Sequence, residues 1–277
     1  MGPEMALFEH VYSPLPSILA LLGISSLACY TCLHEPFNMK VDERELFFEG
    51  LAAELDGLEI LFISDLHIRR WDYRVLWVHD QLCKREAPLI LLGGDMVEES
   101  GREVLREFLP VLKAPMGVYM VAGNNENEQE DREKLFEEFE DHGVVVLRNQ
   151  ALRVKDSLTI LGVDDPSEEQ DDLFAACEDW DRESFAILLS HTPEVFPEAG
   201  RYAIPLTLAG HTHGGQVRLP LLGALYTDTP RTGLRYVSGH YRQGSSQMLL
   251  SRGIGMSKLP LRCLCSPQIH CLTLRAC

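Results

Sequence analysis

Positive charge is scarce in this chain. Over 277 residues, 25 Lys and Arg stand against 42 Asp and Glu, a net charge of −17. Phosphate backbones are bound by clustered Lys and Arg, so this balance excludes a nonspecific nucleic-acid surface, and an anionic substrate needs positive charge supplied locally. No Lys or Arg occurs before Lys40, which argues against a secretory signal with a basic leading region. The late cysteines Cys263, Cys265 and Cys271 read C-x-C-x5-C and so lack the paired C-x2-C spacing of a zinc knuckle. Eight cysteines are an even count, but a chain of this length with an apolar core needs no disulfide framework, so reduced, packed or half-exposed thiols are expected. Neither an internal repeat nor a long low-complexity linker is present.

What is there is apolar. At 45% hydrophobic, the chain has enough material for one large domain, or a domain with appendages. Leu15 to Leu33 carries no charge over 19 residues, diluted by Ser17, Ser25, Ser26 and Thr31. A bilayer-spanning helix needs about 20 residues, so this segment reads as a transmembrane or monotopic anchor, a signal peptide, or a buried helical hairpin. The first basic residues, Lys40 and Arg44, follow it; by the positive-inside rule they put the main domain on the cytoplasmic face of the inner membrane. The expected division is a membrane-associating segment over 1–36 and the main domain over 37–277.

After that segment, strand and helix patterns alternate. Strands are expected over 58–64 (LEILFIS), 88–93 and 117–122, and helices over 73–85, 101–112 and 129–141. VVVLRN, SLTILGV, FAILLS and LTLAG read as further strands, and the sequence from Gly215 onward as β-rich. The acidic stretch from Asp164, DDPSEEQDD, reads as a solvated loop and the start of a helix reaching Trp180, with Pro166 and Ser167 as entry signals. The order implies an α/β fold with helices outside a partly parallel sheet.

Five loops that follow apolar strands each carry a potential metal ligand. They hold Asp65 and His67 (SDLH), Asp95 (GGD), Asn124 (GNN), His191 (SHTPE), and His211 with His213 (GHTHGG). A single histidine after a strand is usually structural. Residues on five strand ends, however, converge on one rim of an open α/β sheet, where such folds place their sites. Carboxylate, imidazole and amide ligands suit Mn, Fe or Zn in a mixed site and not a thiolate cage. Two such ions roughly 3.5 to 4 Å apart form a clamp for phosphoryl chemistry.

The ordered set SDLH, GGD, GN, SH and GHTH resembles the calcineurin-like metallophosphoesterases over about residues 57 to 277, and the tail LLSRGIGMSKLPLR with SPQIHCLTL is similar to that of small, often membrane-associated bacterial members. The resemblance implies a four-layer fold, a central β-sandwich flanked by helices. It implies two divalent ions, Mn foremost: Asp65, His67 and His213 on the first, Asn124, His191 and His211 on the second, and Asp95 bridging. The sequence departs from the family at Asn125, where GNH followed by an acid is usual; Glu126 remains. An amide donates a hydrogen bond but is no acid. General acid catalysis typically contributes ~10² to 10⁴-fold, so a leaving group that departs as a stable anion tolerates its loss best.

That tilts the expected substrate toward a pyrophosphate bond. Within the resembled family, UDP-2,3-diacylglucosamine hydrolases release lipid monophosphate and UMP during lipid A assembly at the cytoplasmic membrane face, and this is the leading specific expectation. Candidate catalytic residues are Asn125, Glu126 and Arg69, and candidate substrate contacts are Arg70, Arg218 and Trp71. Trp71, Tyr73, Trp77 and the apolar N-terminus are the expected lining for acyl chains. A broad phosphodiesterase of envelope or nucleotide substrates shares every ligand, a phosphomonoesterase is disfavoured by Asn125, and a noncatalytic scaffold is expected to lose ligands.

Overall fold

The structure is a computed structural model and describes residues 15–166, 169–257 and 260–277. In chain order the first elements are α1 (Leu15–Cys29), β1 (Lys40–Phe48), β2 (Glu59–Ile63), α2 (Tyr73–Lys84), β3 (Leu89–Leu92), α3 (Arg102–Phe108), β4 (Val118–Met120), α4 (Asn124–Asn127) and α5 (Arg132–Glu140). Then follow β5 (Val144–Val146), β6 (Gln150–Lys155), β7 (Leu158–Gly162), α6 (Leu173–Glu178), β8 (Phe185–Leu189), α7 (Phe196–Arg201) and β9 (Leu206–Ala209). The chain closes with β10 (Arg218–Leu219), β11 (Gly223–Ala224), β12 (Gly239–Gln243), β13 (Ser246–Leu250) and β14 (Gln268–Ala276).

Two six-stranded sheets, ordered β1-β14-β2-β3-β4-β5 and β12-β13-β9-β8-β7-β6, stack face to face. The period-two alternation of strand side chains decides which residue fills which layer. Ile60, Phe62, Leu89 and Leu91 of one sheet meet Leu158, Ile160, Ile187 and Leu189 of the other in the central core. Their neighbours Leu61, Ile63, Ile90 and Leu92 face outward onto Val75 and Val78 of α2, Phe108 of α3 and Phe139 of α5. On the far side, Leu161 and Leu188 pack with Leu173 and Cys177 of α6 and Ala199 of α7. The fold is therefore the expected four-layer α/β arrangement.

The parallel pairing of β2 with β3, of β3 with β4, and of β8 with β9 aligns the carboxyl ends of these strands. The loops bearing Asp65, Asp95, Asn124, His191 and His211 leave from those ends. Helix α2 begins where Asp72 accepts from the backbone N–H groups of Arg74 and Val75, an N-cap that fixes the first turn. The helix expected over 101–112 ends at Phe108, and Leu109–Val111 continues as a tighter turn containing Pro110.

Three expectations change. A strand over Lys40–Phe48 was hidden by its charged residues; it pairs in parallel with β14, which shields it on one edge. The acidic stretch is not simply solvated: Asp164 and Asp165 are buried, because β7 delivers them toward the ends of its neighbours, and the helix starts only at Leu173. Ser167 lies outside the described residues. Trp71, finally, is packed beside Phe108 and His79 and donates through Nε1 to Glu107 at 2.6 Å. It belongs to the layer of α2 and α3, as does Trp77.

At the N-terminus, residues 1–14 of the expected membrane-associating segment lie outside the described residues. No helix among the described residues is long and apolar enough to cross a membrane. The end of the segment is joined to the domain: Arg262 N donates to Thr31 O at 3.0 Å, and Ser266 Oγ donates to the buried Glu35 at 3.1 Å. All eight cysteines are free thiols, and Cys265 donates to the carbonyl of His213 at 3.2 Å.

Candidate metal centre

Asp65, His67, Asp95, His211 and His213 share an unusual backbone, each with φ between 47° and 69°. Non-glycine residues enter this left-handed region at a cost, and such positions cluster where side chains must be aimed. Tight approach fixes Gly210 as well: a Cβ there would collide with Ser64 and the Asp65 carboxylate.

The side chains converge as two groups. His67 Nε2 lies 3.2 Å from His213 Nε2 and 3.4 Å from Asp95 Oδ2, and His213 Nε2 lies 3.7 Å from Asp65 Oδ1. Across the site, His191 Nε2 lies 3.0 Å from His211 Nδ1, 3.3 Å from Asn124 Oδ1 and 3.5 Å from Asp95 Oδ1. One oxygen of Asp95 thus faces each group. Asp65 also has a carboxylate oxygen within reach of both.

The tautomers explain what this arrangement needs. His191 Nδ1 donates to Gly93 O at 2.8 Å and His211 Nε2 donates to Asp228 O at 2.6 Å, so the nitrogens that face each other across 3.0 Å carry lone pairs in the neutral rings. His67 Nδ1 donates to Glu98 Oε1 at 2.7 Å, leaving its Nε2 bare as well. Lone pairs and carboxylates crowded in this way repel one another unless cations sit among them, so the donor set fits divalent ions.

The surrounding carboxylates favour positive charge among these side chains. Burial alone would lower His191, but the carboxylates of Asp95, Asp165 and Asp65 raise it to about 9. Burial raises Asp65. Asp95 would rise with burial too, yet His191 and His67 hold it below the ordinary range. His213 is driven well down by burial, by His67 and by Arg262.

Residues 58–215 match the calcineurin-like phosphoesterase family. The chain belongs to this family. It is 30% identical over 254 residues to an uncharacterized metallophosphoesterase of Bacillus subtilis, YkuE, covering 87% of each chain. It is 31% identical over 224 residues to the uncharacterized protein YpbG of the same organism, covering 78% of this chain and 81% of that one. To the phosphodiesterase YaeI of Escherichia coli it is 30% identical over 246 residues, covering 84% of this chain and 87% of that one. As a calcineurin-like phosphoesterase, the protein is a metal-dependent phosphoester hydrolase with a dimetal centre.

The other sequence candidates fall into place unevenly. Asn125 turns its amide inward: Nδ2 donates to Asp95 Oδ2 at 2.7 Å, and its backbone N donates to Asp95 Oδ1 at 2.9 Å. Glu126 does not orient it. Its buried carboxylate accepts from the backbone N–H groups of Asp95, Met96, Val97 and Gly123, and so holds the Asp95 loop against the start of α4; burial and Asp95 raise it to about 7. Arg69 is exposed and donates to Glu98 at 3.2 Å, and Arg70 is exposed beside it. Arg218 donates to Gly214 O at 3.3 Å and Ser238 Oγ at 3.0 Å.

Three residues emerge only from the structure. Glu98 orients His67, Asp165 adds negative charge near His191, and Arg262 lies fully buried beneath His213. Arg262 donates to the carbonyls of Arg252, Gly253, Gly255 and Cys265, and Nη2 lies 3.5 Å from His213 Nδ1. A basic residue inside the apolar run LPLRCL was its one sequence signal.

Proposed function

We propose that this phosphoesterase cleaves the pyrophosphate bond of UDP-2,3-diacylglucosamine to lipid monophosphate and UMP, the reaction of lipid A biosynthesis. The single observation that carries the reading is Asn125, whose amide is committed to Asp95 and supplies no acid where a leaving group would depart. A nucleotide monophosphate leaves as a stabilised anion and needs that acid least.

In this reading Asp65, His67 and His213 would hold one ion and Asn124, His191 and His211 the other, with Asp95 shared between the two groups. When bound there, two divalent ions, Mn foremost, would supply Lewis acidity toward the phosphoryl oxygens and would lower the pKa of water. The protein's own part is orientation. Glu98, Gly93 O and Asp228 O fix the imidazoles, Glu126 fixes the Asp95 loop, and Arg69 offers an exposed guanidinium at the rim for the distal phosphate. Residues 1–36 attach the domain of 37–277 to the cytoplasmic face of the inner membrane.

A second reading, a broad phosphodiesterase, is supported by the E. coli relative named a phosphodiesterase. Purified protein with Mn, assayed on UDP-2,3-diacylglucosamine, an aryl phosphodiester and an aryl monophosphate, separates the two. UMP release with little turnover of the aryl esters supports the first, whereas faster turnover of the diester replaces it with the second.

A further inference from the structure

Two of the four metal histidines line a cavity that the expected acyl groove did not include. His211 and His213 line it together with Val217, Leu225, Tyr226 and Ser257, and its volume is about 250 Å³. Drug-sized ligand sites run to about 300–1,000 Å³, so this space suits one narrow group beside the scissile phosphate.

The hairpin above the cavity is unusual in composition. β10 and β11 pair Arg218 with Ala224 and Leu219 with Gly223, and the connecting turn contains Leu221 and Leu222. Leu221 is fully exposed at 107% with φ of 67°, and Leu222 is 73% exposed. Turn positions of this kind favour Gly, Asn or Asp, which adopt positive φ at little cost and tolerate water. Leu221 is poorly suited to both conditions, and Leu222 to the second. Leu225 and Tyr226, 56% and 62% exposed, continue the apolar surface down into the cavity.

Its foot is rigid. Cys263 N donates to Gln216 O at 2.8 Å and Arg218 N to Cys263 O at 3.0 Å, while the adjacent Arg262 N reaches Thr31 O at 3.0 Å. The hairpin therefore stands beside the N-terminal segment, where Leu27 and Leu33 are also exposed. Within the cavity itself, the apolar side chains of Val217, Leu225 and Tyr226 share one lining with His211 and His213.

We infer that this cavity and hairpin hold the apolar tail of an amphiphilic phosphoester, the phosphate lying at His211 and His213 and one alkyl or acyl chain along Val217, Leu225 and Tyr226. The inference rests on the dimetal reading and deepens the lipid-linked one. It moves the tail site away from Trp71 and Trp77, which are packed against the helical layer. Continuity with the metal centre selects the occupant: whatever fills the cavity touches residues that face the reacting phosphate.

Calorimetric titration of the Mn-loaded protein with methylphosphonate and decylphosphonate, below micelle formation, tests this without turnover. Burying two methylenes is worth about tenfold in affinity, so decylphosphonate binds at least about tenfold more tightly. In Leu225→Asp, a change at an exposed position, the two affinities come within about threefold, and Leu225→Met restores the difference. Equal affinities in the wild type overturn the inference, including the outcome in which Leu222→Asp impairs only binding to phosphatidylcholine vesicles. An equal loss of both affinities in Leu225→Asp also overturns it. The substrate reading fails separately: chain-length-dependent binding without UMP release leaves the tail site standing, and UMP release without chain-length dependence removes it.

Discussion

Glu98 Oε1 accepts the Nδ1 proton of His67 at 2.7 Å, and Arg69 donates to the same oxygen at 3.2 Å. The hydrogen bond from His67 is the main reason Glu98 titrates below the usual carboxylate range. A carboxylate in this position fixes ring orientation and raises the basicity of the metal-facing nitrogen, and its loss typically costs 10- to 100-fold in metal affinity. Glu98→Ala is expected to weaken Mn binding by about that factor, while Glu98→Gln retains an acceptor and most of the affinity. Identical calorimetric Mn isotherms for Glu98→Ala and wild type would remove Glu98 from the centre.

Asp95 presents Oδ2 to His67 and Oδ1 to His191, at 3.4 and 3.5 Å. Asp95→Asn keeps the shape but removes the charge shared by both groups. Bound Mn, measured by elemental analysis after gel filtration, is expected to fall from two ions per chain to one or none. Hydrolysis is expected to drop by on the order of 10²-fold or more, the scale of losing one electrostatic stabiliser. Two retained ions would contradict the bridging position.

Asn125→His restores an acid where the family usually has one. Phosphoanhydride cleavage is expected to stay within about tenfold, a change of about 1.4 kcal/mol in the barrier. Turnover of an alkyl phosphodiester, whose leaving group needs a proton, is expected to rise by up to ~10²-fold. A large loss of UMP release would show instead that the hydrogen bond from Asn125 to Asp95 is itself essential.

The metal residues were legible because each follows an apolar run, and runs that pair in parallel deliver their ends to one rim. The backbone that aims them was not: nothing in SDLH or GHTH announces that Asp65, His67, His211 and His213 take positive φ. β1 was missed because Asp42, Glu43, Arg44 and Glu45 mask its alternation, and its partner is more than 200 residues away. Asp164 and Asp165 misled in the opposite sense. A run of acids normally lies in water, yet Arg148 Nε donates to Asp164 at 3.2 Å and Asn127 Nδ2 at 3.4 Å, stabilising a buried carboxylate. Glu98, three residues beyond Asp95, carries no local signal at all; only tertiary contact identifies it.

Arg262 is buried among four carbonyl acceptors. Arg262→Met removes the donors and leaves those carbonyls in a dry interior, where each unsatisfied group costs about 1–3 kcal/mol. The variant is expected to lose ~3 kcal/mol or more of stability, seen as a lower urea midpoint with an unchanged slope. Arg262→Lys keeps the charge but not the planar fork, and is expected to recover less than half of the loss. Full recovery by lysine would mean that charge, and not the hydrogen-bonding geometry, is what the site requires.

His270 lies outside the metal centre, stacked on Phe62, with Nδ1 donating to Asp42 at 2.9 Å and Nε2 accepting from Gln268 at 3.1 Å. Both nitrogens are satisfied in the neutral ring, and burial lowers its pKa. The folded state therefore resists a proton that the unfolded state accepts. Stability is full above the unfolded value of about 6.5 and falls as pH drops below it, at up to about 1.4 kcal/mol per pH unit until the folded pKa is reached. Asp42 acts in a lower window. Burial would raise it, but His270 and Arg44 bring it to about 2, so its contribution persists above about pH 4 and is lost toward pH 2. His270→Gln keeps a donor for Asp42 without a titrating ring. Denaturant titrations at pH 8.0, 6.5, 5.5 and 4.5 are expected to show the wild type losing more stability than this variant between pH 6.5 and 4.5. Parallel curves would mean that His270 takes up a proton in the folded state as easily as in the unfolded one.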